Sequence, residues 1–302
     1  MLIINSVVTA EYEAVNMYQT AETSIYVGSE ALIGSEHGEA VYGYSNNLEA
    51  FVFGRLVGEN HGLLFGGESF ETSSESVKIY ESGRVFGLAE GVALYGVNST
   101  LENAGMIESQ IYSAVVLKSA VSSSVSTVTN SGTIIAGTVG AGVYFQGGED
   151  GKLINSGTIS GGNSAFNSVN SSADMTVINT GTMYNGILFG AGNDTYVGAG
   201  GRVVDGPISP GAGNDRLTGG STAETFVFAT GNDRDTITNF VARGRSHDVL
   251  DLSGWDAVET FKDARSHADQ HGKDLWIEGQ TDDVLILRHV KLNDLNASDF
   301  TF

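Results

Sequence analysis

The residues best suited to chemistry lie between positions 189 and 240, where short glycine-rich segments each carry a carboxylate. They are Gly190-Ala191-Gly192-Asn193-Asp194-Thr195-Tyr196, Gly211-Ala212-Gly213-Asn214-Asp215-Arg216-Leu217, Gly219-Gly220-Ser221-Thr222-Ala223-Glu224-Thr225-Phe226 and Gly231-Asn232-Asp233-Arg234-Asp235-Thr236-Ile237. Asp215, Glu224 and Asp233 recur at steps of nine, and Asp194 precedes Asp215 by a longer step. Glycine allows the tight turns in which backbone carbonyls converge, and the short Asp side chain suits close coordination of a hard cation by oxygen. The acids are also divided by type: all 16 before Asp150 are Glu, whereas from Asp150 onward there are 17 Asp and 3 Glu. Metal chemistry is therefore expected in the second half of the chain.

These segments match the nonapeptide G-G-x-G-x-D-x-U-x and resemble the RTX (repeats-in-toxin, haemolysin-type) calcium-binding proteins. The resemblance implies a β-roll in which two nonapeptides make one full coil, so that Asp215 and Asp233 stack on one edge and share a Ca²⁺. It implies a metal set of Gly190, Gly192, Asp194, Gly211, Gly213, Asp215, Gly220, Glu224, Gly231 and Asp233, with a short insertion near positions 205–210 in the coil of Asp194. Glu224 stands where the family has Asp, and Thr222 where it has Gly. The tail, with Thr236-Ile237-Thr238-Asn239-Phe240, His247-Asp248-Val249-Leu250-Asp251-Leu252-Ser253, Asp282-Asp283-Val284-Leu285-Ile286-Leu287 and a final Asp299-Phe300-Thr301-Phe302, is similar to the uncleaved C-terminal region of type I secretion substrates. Such a protein folds on calcium outside the cell, because extracellular modules bind it with dissociation constants near ~10⁻⁴ to 10⁻³ M.

Two histidine placements carry alternatives. Gly34-Ser35-Glu36-His37-Gly38 aligns with Gly58-Glu59-Asn60-His61-Gly62 one repeat later, and Glu90 falls in the same column. Two imidazoles and a carboxylate there read as a general base, a transition-metal site or an exposed turn column. His267 and His271, at i and i+4 in a helical pattern over 256–271, lack an H-E-x-x-H and read as a solvated helix end. Trp255 and Trp276 read as packing anchors. No G-x-S-x-G elbow, phosphate loop or cysteine occurs, which removes acyl transfer, nucleotide and thiol chemistry from view.

The elements that must position these residues announce themselves as a repeat. Asn130-Ser131-Gly132-Thr133-Ile134, Asn155-Ser156-Gly157-Thr158-Ile159 and Asn179-Thr180-Gly181-Thr182-Met183 follow one another at nearly even spacing, with weaker copies at Asn103 and Glu81. A second apolar stretch follows a small residue in many units, as at Val41, Leu63, Val92, Val143 and Ile187. The segments are short and rich in Val, Ile, Thr and aromatics, so two short strands per coil are expected, stacked so that each coil pairs with its neighbours. The expected fold is all-β: a parallel β-solenoid (β-helix) continuing into an RTX β-roll, with a small C-terminal β-rich capping domain. Its expected divisions are a cap or first coil at 1–27, β-helix repeats at 28–188, the calcium-binding roll at 189–240 and a capping and secretion domain at 241–302.

A net charge of -21, from 36 acids against 15 bases, repels nucleic acid and anionic lipid and attracts cations. No Lys or Arg precedes Arg55 and no apolar run is long enough for a span, which argues against a Sec-type signal or a membrane segment. The expectation is a calcium-binding protein secreted to the extracellular space or cell surface of a Gram-negative bacterium, with a structural, adhesive or matrix role. Its expected partners are calcium ions, type I secretion machinery and cell-surface or matrix polysaccharide, with self-association through open β-helix ends. The alternative is a polysaccharide-modifying enzyme of the lyase or epimerase type; Arg55, Lys78, Arg84 and Lys118, the four bases before Asp150, are not clustered in sequence, which counts against it.

Overall fold

A computed structural model describes residues 1–20, 22–66, 74–121, 124–256, 258–279 and 282–302. Residues with alternating apolar character form short parallel strands that wind from one face to the next, and the chain is an all-β parallel β-solenoid. Among the described residues, face A has 14 strands, face B nine and face C twelve. Within each face, interior strands pair with their counterparts one coil earlier and one coil later, which satisfies their backbone groups. Only two short α-helices accompany them among the described residues, Met17–Thr20 and Phe261–Ser266, and no described helix is long and apolar enough to cross a membrane.

The repeat read from the sequence is the coil. Thr133 pairs with Thr158 and Thr158 with Thr182 on face B, so the step of the Asn-(Ser/Thr)-Gly-Thr motif is the step from one coil to the next. The second apolar stretch is face C, where one inward column runs Val41, Leu63, Val92, Val115, Val143, Phe166, Ile187, Ile208, Phe226, Leu250 and Phe300. Those side chains are buried in a single core that extends along the axis.

The expected two strands per coil hold only for part of the molecule. Through the strand Arg202–Val204 each coil has three, the additional one lying on face A just before the Asn turn, as in Val125–Asn130. That strand, Val-Ser-Thr-Val-Thr-Asn, alternates buried and outward positions, but the polar Ser126 and Asn130 occupy buried ones, so it has no apolar run. Face B ends at Arg202–Val204; from Arg216–Thr218 onward successive coils carry two strands, on faces A and C. The parallel order closes with a hairpin, Ala268–His271 and Asp274–Glu278, that pairs antiparallel with Val284–Leu287. The helical pattern expected over 256–271 is a helix only at Phe261–Ser266, whose Thr260 cap accepts from the Asp263 N–H; Ala257 lies outside the described residues, and His271 is on a strand.

Candidate cation column

The turn before face A positions a file of acids. Thr195, Arg216 and Thr236 are register partners, so Asp194, Asp215 and Asp235 stand one above another at the start of three successive strands. All three are buried, at 1%, 2% and 1% exposure. Each reaches back one coil: Asp194 Oδ1 accepts from the Met175 N–H at 2.6 Å, Asp215 Oδ1 from the Asp194 N–H at 2.6 Å, and Asp235 Oδ1 from the Asp215 N–H at 3.0 Å. The Oδ2 atoms of Asp194 and Asp215 are buried with no hydrogen-bond partner among the described residues.

Burial pushes the Asp194 carboxyl up to about 8, and the neighbouring Asp215 and Asp174 charges act in the same direction. Burial likewise raises Asp215 to about 7 and, with repulsion from Asp215, Asp235 to about 9. A buried carboxylate oxygen with no donor is costly unless a proton or a cation meets it. No group of three His, Asp or Glu side chains among the described residues converges as a metal-ligand cluster. A cation on this column would therefore draw most of its ligands from backbone carbonyls, which is chemistry that a hard, oxygen-seeking ion accepts.

Glycines line that backbone. A Cβ on Gly211, at φ +86°, would lie 1.9 Å from the Gly190 carbonyl oxygen, and one on Gly213, at φ +122°, 2.1 Å from that of Gly192. Coils at this turn are thus in backbone contact, and no side chain fits between them. Asn193 and Asn214 form a second, outer file, in which the Asn214 N–H donates to Asn193 Oδ1 at 3.1 Å and the Asn193 N–H to Asp174 at 2.6 Å.

Asp215 and Asp233 do not stack. Coils here are longer than two nonapeptides, because the register partners Thr195, Arg216 and Thr236 stand 21 and 20 residues apart. Asp235 therefore takes the place in the column expected of Asp233. Asp233 sits at φ +62° beside an open cleft, and its N–H donates to the buried Asp283 at 3.0 Å. Gly231, at φ +88°, donates to the same carboxylate. Glu224 and Gly220 are on the other side of the molecule, where the Glu224 N–H donates to Asp248 Oδ1 at 3.0 Å. Burial and the adjacent Asp248 raise the Glu224 carboxyl to about 7. Asp235, Asp248 and Asp283 were legible locally: like Asp194, Asp215 and Glu224, each stands two positions before a buried apolar side chain. Asp233, two positions before another Asp, lacks that signal.

The histidine column is also displaced. Between the register pairs Gly34 with Val57 and Val41 with Leu63, the earlier coil has one residue more, so Glu39 rather than His37 comes beside His61. His61 Nδ1 donates to Glu39 at 3.1 Å and Nε2 lies 3.2 Å from Glu90, its register partner. His37 instead pairs with Glu59 on an exposed turn at 2.9 Å. Burial works to lower the His61 pKa, but the Glu39 and Glu90 hydrogen bonds outweigh it and lift the ring to about 9. At neutral pH this imidazolium ties three coils together. His267 Nδ1 donates to the Asp263 carbonyl, and Trp276 lies flat between His271 at 4.1 Å and the Arg234 guanidinium at 4.2 Å, whereas Trp255 is buried.

Four buried asparagines form a ladder that the turn motif alone did not disclose. Asn103, Asn130, Asn155 and Asn179 pass Nδ2–H to Oδ1 up the axis at 2.8, 2.8 and 2.9 Å. No protein-family model and no curated protein matches the chain.

Proposed function

We propose that the chain is a calcium-binding β-solenoid of the RTX type, exported by type I secretion from a Gram-negative bacterium and serving a structural or adhesive role at the cell surface or in a matrix. The observation that carries the reading is the buried Asp194, Asp215 and Asp235 column, with two carboxylate oxygens left without donors beside glycine turns in backbone contact. The glycine-rich repeats, the Asp-rich second half and the tail motifs support it. The polysaccharide-modifying alternative finds less support in the histidine column: a ring held protonated to about 9 between two carboxylates is not a base at neutral pH.

The test is thermal unfolding at pH 7.5 with CaCl₂, MgCl₂ or EDTA, for the wild type and Asp194→Asn/Asp215→Asn. Asn fills the same space without charge, so the variant is expected to fold without metal. At free calcium a hundredfold above the dissociation constant, each site contributes ~2.7 kcal/mol. The wild type should be stabilised by calcium selectively and the variant should lose that response. A wild type indifferent to calcium would remove the reading.

A further inference from the structure

Arg55 and Arg84, well separated in the sequence, are register partners on adjacent strands of face B. Both point outward and are exposed, on strands about 4.8 Å apart. With Val57, Phe86, Met106 and Glu108 they line a shallow cleft of ≈ 380 Å³. The Arg84 guanidinium is held by the Glu81 and Gly83 carbonyls at 2.9 and 2.8 Å, so its fork is fixed in place. Neither arginine has a carboxylate partner among the described residues, in a chain whose acids outnumber its bases by 36 to 15. The net charge of -21 repels a polyanion at long range, but within the screening length of about 8 Å the two adjacent unpaired guanidinium groups outnumber the one carboxylate of the cleft, Glu108, and favour an anion there.

We propose that this cleft binds an acidic polysaccharide, with a sugar carboxylate between Arg55 and Arg84 and the ring over Phe86 and Val57. Paired guanidinium forks match a carboxylate, while the half-buried Phe86 and Val57 offer an apolar floor. Phe53 and Tyr80, on the coils of Arg55 and Arg84, and Tyr26, one coil earlier, form an aromatic file beside face B, with ring centroids 5.2 and 3.8 Å apart. A peptide has less to hold: strands Arg55–Gly58 and Arg84–Gly87 are paired on both edges, so no strand can be added here. The inference stands apart from the calcium column, which lies in later coils.

Titration calorimetry tests it with hexamers of galacturonate and of mannuronate, a neutral glucose hexamer and polyglutamate, all at one CaCl₂ concentration. The comparator is Arg55→Gln/Arg84→Gln, which keeps every carboxylate, so calcium bridging is the same in both proteins. At least one uronate should bind the wild type, weaken tenfold or more in the double variant, weaken in Phe86→Ala, and lose affinity as NaCl rises. Circular dichroism confirms that each variant is folded. No binding of either uronate, equal binding by the double variant, equal binding of the glucose hexamer, or polyglutamate binding as tight as the uronate would each overturn the proposal.

Discussion

His61 and Asn155 show how single side chains fasten one coil to the next. His61 is partly buried between Glu39 and Glu90, and its folded pKa of about 9 lies above the ordinary value of 6.5. A group raised on folding stabilises fully below its ordinary pKa and loses that contribution as pH rises through the folded one. Urea unfolding of the wild type and His61→Gln should therefore differ by about 1.5–3 kcal/mol at pH 6, and the difference should shrink by pH 10. Asn155 accepts from Asn130 and donates to Asn179 within the buried ladder. Asn155→Ala takes away an acceptor and a donor at once, and denaturant unfolding should record a loss of about 1–3 kcal/mol.

At the scale of the strand and turn, the sequence disclosed whatever has a strong local signal. The Asn-Ser-Gly-Thr turns and the apolar stretches of face C were legible, and their spacing gives the register of Thr133, Thr158 and Thr182 directly. Face A strands such as Val125–Asn130 were not, because Ser126, Thr127, Thr129 and Asn130 interrupt the apolar pattern and two of them, Ser126 and Asn130, lie on the buried side. The same limit governs the candidate site. Asp194 and Asp215 follow glycine turns and fit the nonapeptide step, but that step pointed to Asp233, whereas the buried Ile237 two positions on marks Asp235, and the coil from Arg216 to Thr236 is longer than two nonapeptides. One additional residue between Gly34 and Val41 likewise moved Glu39 into the place expected of His37. The arginine pair is the plainest case, since the chain between Arg55 and Arg84 closes into one coil and makes neighbours of side chains that the sequence keeps apart.

Across the whole molecule, each strand pairs with the coils beside it, so the single core and its stability accumulate coil by coil along the axis. The column of buried Asp begins at Asp194, whereas in the coils of the asparagine ladder the buried Glu149 is met by donors, the Asn98 N–H at 2.6 Å and the Ser126 hydroxyl at 2.9 Å. Hydrogen exchange should divide accordingly. On the proposal that the column holds calcium, addition of EDTA should deprotect strands from Thr195–Val197 onward and leave Thr100–Asn103 through Met175–Asn179 protected. Uniform deprotection from end to end would mean that the acids do not act locally. Where face B stops at Arg202–Val204, faces A and C continue without a break in pairing. The molecule thus keeps the same two seams on either side of a change in cross-section. A duplicated or deleted stretch of coding sequence that adds or removes one whole coil would be absorbed on either side as a change in length of about 4.8 Å. Length is accordingly a trait that inheritance can adjust stepwise, with the chemistry at each remaining coil left as it was.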